Sequence, residues 1–322
     1  MWYQAPRLRP MLEHRIAKLA AIATFVLLVI GGTVNATGSS LACPEPTLVC
    51  HGELFPKMEG GVLYEHGHRL AAMTVGLLQI LLTVLLWKRR EKSSAYGKLA
   101  WILLGLVLLQ GALGAITVKY KLPWVVSTGH LLLGMSYFAT LIYTAFRTRP
   151  APSVVELQRH DTLRAELGTA RTWITVAVVT VFVQLLFGAL VRHWGAALVC
   201  PDMPSCSAAD GYWPEAAIQK MHMIHRAFGV VVAIVTTISA VMVLRAARSW
   251  AQLRVLAAIA PVIVLAQIAL GIMTVLSMRA VPIAVGHFAG AASLWAIWIS
   301  MWLMTRSLVP ARAGGKPEAV AL

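Results

Sequence analysis

Charge is what this sequence has least of. Only 13% of its 322 residues are charged, and only 13 are acidic. Soluble domains carry about 25% charged residues. Here 58% of the chain is hydrophobic and the mean hydropathy is +0.72. A chain of this length would ordinarily make two soluble domains, but this one cannot cover them with polar surface, which excludes a soluble fold. Cysteine is scarce too. With four in all and no second ligand pair at finger spacing, a structural zinc module is disfavoured. The shortage of acid leaves 28 Lys and Arg in excess, a net charge of +15. In a soluble protein that balance would suggest nucleic acid. The placement of the charges gives a different reading.

A membrane-crossing helix needs about 20 mostly apolar residues. Eight stretches qualify, at 16–36, 63–87, 98–118, 124–146, 172–192, 218–245, 253–276 and 282–305. The first is too long, and too polar at its exit through Gly31-Gly32-Thr33-Val34-Asn35, for a cleaved signal peptide. With the N-terminus inside, twenty of the 28 basic residues fall in the inner segments, including the Lys88–Lys98 and Arg147–Arg171 clusters. The outer side keeps Lys57, Arg69, Lys119, Lys121, Arg192, Lys220, Arg226 and Arg279. Cytoplasmic loops carry the positive excess. The sequence therefore predicts an all-α, multi-pass protein of the plasma membrane with both termini cytoplasmic. Its partner is the lipid bilayer, and no nucleic-acid role remains. All four cysteines lie in two outer loops, as Cys43 and Cys50 and as Cys200 and Cys206. Close pairs outside the cytoplasm become disulfides, so Cys43–Cys50 and Cys200–Cys206 are expected loop staples, with a redox role as the alternative.

The chain also repeats itself. Adding 157 carries Phe25-Val26 onto Phe182-Val183, Gly31 onto Gly188, Gly38 onto Gly195, and Cys43-Pro44 onto Cys200-Pro201. His68-Arg69 lands on His225-Arg226, Gln110 on Gln267, Gly114 on Gly271, and Gly129-His130 on Gly286-His287. One register holds throughout, which implies two parallel four-helix bundles related by an axis along the membrane normal. The expected division is a cytoplasmic N-terminus at 1–15, a first unit at 16–146, a linker at 147–171, a second unit at 172–305 and a cytoplasmic tail at 306–322.

Ionisable groups within a membrane are functional hypotheses by default. His14 and His160 read as solvated inner residues, and His51 and His193 as outer-loop residues. His68, His130, His225 and His287 obey the repeat, one each on spans 2, 4, 6 and 8, all within about two turns of the outer ends. Each unit thus offers two imidazoles on different helices at one depth. That suits bis-histidine ligation of haem iron. Zinc competes, with Glu65, His68 and His130 in one half and His222, His225 and His287 in the other as three-ligand sets. Gly111, Gly114 and Thr117, like Gly271 and Thr274, make small surfaces suited to a porphyrin or to close helix packing. Arg69 and Arg226 could pair with haem propionates or snorkel to headgroups.

The halves differ at one point. Glu65, three residues before His68, corresponds to His222. A carboxylate there could act as general base or stabilise a developing cation, or could orient His68 or His66. The asymmetry suggests a reactive first site and an electron-carrying second one.

With Glu65-x-x-His68-Arg69, His130, His225-Arg226, His287 and a cysteine pair in each long outer loop, the chain resembles the haem A synthase family over nearly its whole length. His66 is a variation on that pattern. The resemblance implies an oxidoreductase that binds haem O between His68 and His130, and Arg69 belongs to that substrate site. It implies that Glu65 is catalytic in oxidising the C8 methyl to a formyl with water-derived oxygen. It further implies a haem b cofactor between His225 and His287, with Arg226 beside it, and redox activity of Cys43 and Cys50 in some members. Implied partners are haem O synthase and cytochrome oxidase assembly factors, in a bacterial membrane, with a homo-oligomer left open. Two other readings remain: a dihaem b-type electron-transfer subunit, and a transporter or haem-delivery protein. Against the second, no Gly/Pro-broken helix recurs at matching depths in both halves.

Overall fold

The computed structural model describes residues 12–91, 93–150, 162 and 165–306. Among them are eight long helices: α1 (Leu12–Ala36), α2 (Gly60–Lys88), α3 (Ser94–Lys119), α4 (Trp124–Arg147), α5 (Ala170–His193), α6 (Ala217–Ala246), α7 (Ala251–Leu276) and α8 (Val281–Met304). A short 3-10 turn at Ala196–Leu198 follows α5, and no β-strand occurs among the described residues. All eight helices are long and apolar enough to cross a membrane. Their 24 to 30 residues give about 36–45 Å of rise, ample for a hydrocarbon core of about 30 Å. The protein is an all-α, multi-pass membrane protein. His160 and most of the expected linker and tail lie outside the described residues.

The helices run a little beyond the apolar stretches because polar residues at their ends find partners. α1 begins at Leu12 rather than 16, since the buried Glu13 pairs with Arg89 at 2.5 Å and His14 Nδ1 meets the Ala145 carbonyl at 2.9 Å. His14 is therefore tied to α4 and is not simply solvated. His193 ends α5 instead of lying in a loop. α3 starts at the Ser93 hydroxyl, which accepts from the Ala95 N–H as an N-cap. Pro261 is carried inside α7 without breaking it.

α1 to α4 pack as a ring, each against the next and α4 back on α1, and α5 to α8 do the same. The rings meet through α1 with α8 and through α4 with α5 and α8. α4 is the shared wall. Its Tyr137 and Leu141 join the core with Leu82, Leu86 and Leu103, while its Met135 and Phe138 join the core with Ile174, Trp295 and Trp298. Across that wall Trp295 donates to the Met135 carbonyl at 3.1 Å, and Tyr137 donates to Gln79 at 2.7 Å. The outward faces are apolar and open, as at Leu77, Leu108, Val262 and Leu265. That inversion of soluble packing is what a lipid solvent selects.

Local geometry recurs at the 157-residue spacing. Gly38 and Gly195 both take a left-handed φ as α1 and α5 end. Lys121-Leu122 and Met278-Arg279 both take two consecutive left-handed residues between paired helices. For residues other than glycine each such conformation costs about 1–2 kcal/mol. Matching bonds hold it in both turns, among them Leu122 N–H to the Thr117 carbonyl at 2.7 Å and Arg279 N–H to the Thr274 carbonyl at 2.8 Å.

Candidate functional site

Four histidines sit against four glycines at one end of the bundle. His68 of α2 lies on Gly31 of α1, and His130 of α4 on Gly114 of α3. His225 of α6 lies on Gly188 of α5, and His287 of α8 on Gly271 of α7. A Cβ at these glycines would stand only 3.0 Å from the His68 ring and 3.2 Å from each of the other three. Each odd-numbered helix thus supplies a flat seat and each even-numbered helix the imidazole. His68 and His130 lie within Coulombic range of each other, as do His225 and His287.

The arrangement tests what the sites can hold. All four Nδ1 atoms are buried without a hydrogen-bond partner. Leaving such groups unpaired is costly, so the rings are poised for something more than packing. Two imidazoles from separate helices, backed by glycine, fit the axial ligation of a haem iron. Zinc fits less well. Among the described residues no group of three or more His, Cys, Asp or Glu is arranged to hold a metal ion. The three-ligand zinc sets considered from sequence are not assembled. Glu65 shows why for the first half, because its carboxylate is engaged elsewhere.

Glu65 is buried and grips the first loop. Its Oε1 accepts from Arg69 at 2.6 Å and its Oε2 from the Cys43 N–H at 2.8 Å. Arg69 also donates to the carbonyls of Thr47 at 2.5 Å, Val49 at 3.0 Å and Cys43 at 3.0 Å. Arg226 does the same to the second loop, reaching Cys200 at 2.5 Å, Asp202 at 2.8 Å and Ser205 at 2.9 Å. Both expected disulfides are formed, Cys43–Cys50 and Cys200–Cys206. Arg69 thus divides its terminal donors between loop carbonyls and Glu65, and Arg226 gives its terminal donors to loop carbonyls and Met223 while its buried Nε has no acceptor. Neither the propionate nor the headgroup partner weighed from sequence accounts for these bonds.

At the loop surface Glu45 accepts from the N–H groups of His51 and Gly52, each at 3.0 Å. What burial there is acts to raise its pKa, but these backbone bonds outweigh it and hold the carboxyl below its ordinary value. His51, with φ +52°, turns its Nε2 to the Ala42 carbonyl at 2.8 Å. His66 is 1% exposed, and neither ring nitrogen has a partner. Its counterpart, Met223, packs on Cys200 and Cys206.

Sequence reasoning overlooked several contacts. Gln110 Nε2 stands 3.4 Å from His130 Nε2, and Gln184 donates to the His225 carbonyl at 3.1 Å. The Gln110/Gln267 match was the available signal for the first. The Glu65–Arg69 pair was legible as an acid four residues before a base on one helix.

The fold and the paired sites define a class: a helical membrane protein with two pairs of buried, glycine-seated histidines. The pattern of the COX15-CtaA family, cytochrome oxidase assembly proteins, matches residues 57–299, and the chain belongs to that family. It is similar to the heme A synthase of Bacillus pumilus (strain SAFR-032), 28% identical over 284 residues, 86% of this chain and 90% of the relative. It is similar to the heme A synthase of Shouchella clausii (strain KSM-K16), 26% identical over 270 residues, 83% and 87% of the two chains. The heme A synthase of Lysinibacillus sphaericus (strain C3-41) is 31% identical over 204 residues, 61% and 64% of the two chains.

Proposed function

We propose that this chain is a haem A synthase, which oxidises the C8 methyl of haem O to a formyl group. The carrying observation is the set of four glycine-seated histidines, only one pair of which has a carboxylate on the same helix. In this reading residues 16–146 form the substrate unit, with haem O between His68 and His130. Residues 172–305 form the cofactor unit, with haem b between His225 and His287. The histidine end faces outward from a bacterial plasma membrane, with both termini cytoplasmic.

The conversion takes one methyl and one water to one formyl, with release of four protons and of four electrons to an oxidant outside the chain. When bound, haem b supplies reversible one-electron chemistry at the second site. The chain's own residues orient and hold. The two imidazoles of the first unit would hold the porphyrin between α2 and α4, and Gly31 and Gly114 leave room for the imidazoles themselves. Fixing a reactant beside the group that acts on it lowers a barrier by several kcal/mol. Glu65 is the group assigned to proton handling. Arg69 and the Cys43 amide take one acceptor position on each oxygen, and a carboxylate offers about four in all. One position on each oxygen stays available. Arg69 and Arg226 hold the disulfide loops over the sites. Haem O synthase would deliver the substrate, and oxidase assembly proteins would receive the product.

The test is porphyrin extraction from the purified chain, expressed with and without a haem O synthase, with each porphyrin identified by mass. Haem b alone without the synthase, and haem O or haem A in addition with it, is expected. Two haem b per chain in both conditions would establish a dihaem electron carrier in place of the synthase.

A further inference from the structure

Two arginines remain that no assigned role uses, and both belong to the junction of the two rings. Arg192 is the penultimate residue of α5. It donates to the carbonyls of Gly31 at 3.2 Å and Gly32 at 3.1 Å on α1, and its guanidinium lies 5.0 Å from the Phe288 ring centre on α8. Its Nε is buried with no acceptor. Arg279, in the left-handed turn before α8, donates to Asn35 at 3.4 Å, one turn along α1 from the Gly31 carbonyl that Arg192 holds. Among the described residues the ion pairs are Lys57–Glu59, Glu65–Arg69 and Glu13–Arg89, so neither junction arginine has a carboxylate partner. Two neighbouring cations without an anion, at the rim of a membrane bundle, are electrostatically incomplete.

Their position says which anion would complete them. Gly31, whose carbonyl Arg192 holds, is the seat of His68. The next residue, His193, lies 3.4 Å from Thr128 Oγ1, two residues before His130 on α4. Arg192 thus borders the first site, holding the carbonyl of the His68 seat while the next residue meets the helix of His130, and it borders the second through Phe288 and through Gly188 one turn back on α5. The bond partners of Arg69 leave the propionates of a first-site porphyrin without their expected cation. The repeat marks the same place, since Arg192 and Arg279 stand where the first half has Asn35 and Leu122.

We propose that Arg192 and Arg279 form a carboxylate receptor at the ring junction, which binds a propionate of the porphyrin held at the first site. This rests on the haem-site reading above. Binding there also ties the substrate to α5 and to the α7–α8 turn of the other ring, so the pocket is completed only when both halves are assembled. A guanidinium can meet a carboxylate with two parallel bonds, an arrangement an ester cannot accept with the same charge.

The test compares haem, with its two carboxylates, against haem dimethyl ester, which has the same ring and iron and no charge. Both are titrated into the purified full chain by the Soret band, and His68→Ala assigns the first-site component. A charge-assisted hydrogen bond corresponds to about ten- to a hundredfold in affinity, so the acid is expected to bind tighter than the ester by that factor. Arg192→Gln and Arg279→Gln should each bring the two toward parity, and Arg192→Lys should keep most of the preference. Arg279 lies in a turn, so its variant carries the test if Arg192→Gln does not fold. Equal binding of acid and ester by the unaltered chain would overturn the receptor and leave the haem sites standing. So would an equal weakening of both porphyrins in the variants, which marks a purely structural cross-link. Loss of co-purified anionic phospholipid with the acid preference intact would assign the arginines to headgroups and overturn it too. Absence of a Soret component sensitive to His68→Ala would instead sink the haem-site reading itself.

Discussion

The loop between α1 and α2 and the loop between α5 and α6 are drawn onto their helices in the same way. A disulfide closes each, and an arginine next to a site histidine gathers its carbonyls, Cys43 in one and Cys200 in the other. The difference lies in what stands behind the arginine. Arg69 has Glu65, which also takes the Cys43 amide. Arg226 has His222 at that place, and its only contact on its own helix is the Met223 sulfur at 3.8 Å. The loop clamp therefore does not require a carboxylate, since the second loop is clamped without one. Glu65 is the part of the first clamp that the second does not share.

Three experiments would break or sharpen the comparison. The largest effect is expected at the glycine seats. Gly31→Val and Gly188→Val each push a branched side chain into a histidine ring. Overpacking of this kind costs about 1–3 kcal/mol, about ten- to a hundredfold in affinity. Gly31→Val should lose only the first-site porphyrin and Gly188→Val only the second, as counted by porphyrin per chain. Loss of both in either variant would show that the sites are not independently seated.

Next is Glu65→Gln against His222→Gln. Removing one partner of a buried ion pair costs about 3 kcal/mol, so the Cys43 amide should exchange faster in Glu65→Gln. Both porphyrins should remain bound while the formyl product disappears. His222→Gln should leave the formation of haem A intact. An unchanged haem A yield in Glu65→Gln would remove that carboxylate from the mechanism.

The smallest effect is a matter of pH. Glu45 has a folded pKa below its ordinary value. Its hold on His51 and Gly52 is thus complete above the unfolded value of about 4 and is lost as pH falls through the folded one. Amide exchange at these two residues should lose protection only at that low end. Loss already at pH 6 would mean that the carboxylate does not hold the loop.

Much of this was legible from the residues. Eight spans follow from hydropathy because lipid demands continuous apolar length, and that signal is local. The histidine pairs follow from the repeat because a fixed offset preserves register. What sequence missed depends on which neighbour a side chain meets. Glu65 lies three residues before His68 and was weighed as a group that orients it, yet Glu65 turns to the Cys43 loop while His68 turns to Gly31. Arg69 was weighed as a propionate or headgroup partner, and its bonds to loop carbonyls join residues 20 to 26 positions apart. Arg192 looked like one more outer cation, since its contacts with α1 join residues 160 and 161 positions apart.

The left-handed turns carry a consequence of another kind. In each half the turn begins seven positions after the glycine seat, Gly114 to Lys121 and Gly271 to Met278, and ends eight before the histidine, Leu122 to His130 and Arg279 to His287. Each turn is a spacer of fixed length, and a helix rotates about 100° per residue. One residue added there would swing the imidazole away from its seat, while the same addition in a disulfide loop would only lengthen a connection. The two short hairpins thus set the rotation of each imidazole on its seat, a task the disulfide loops do not share.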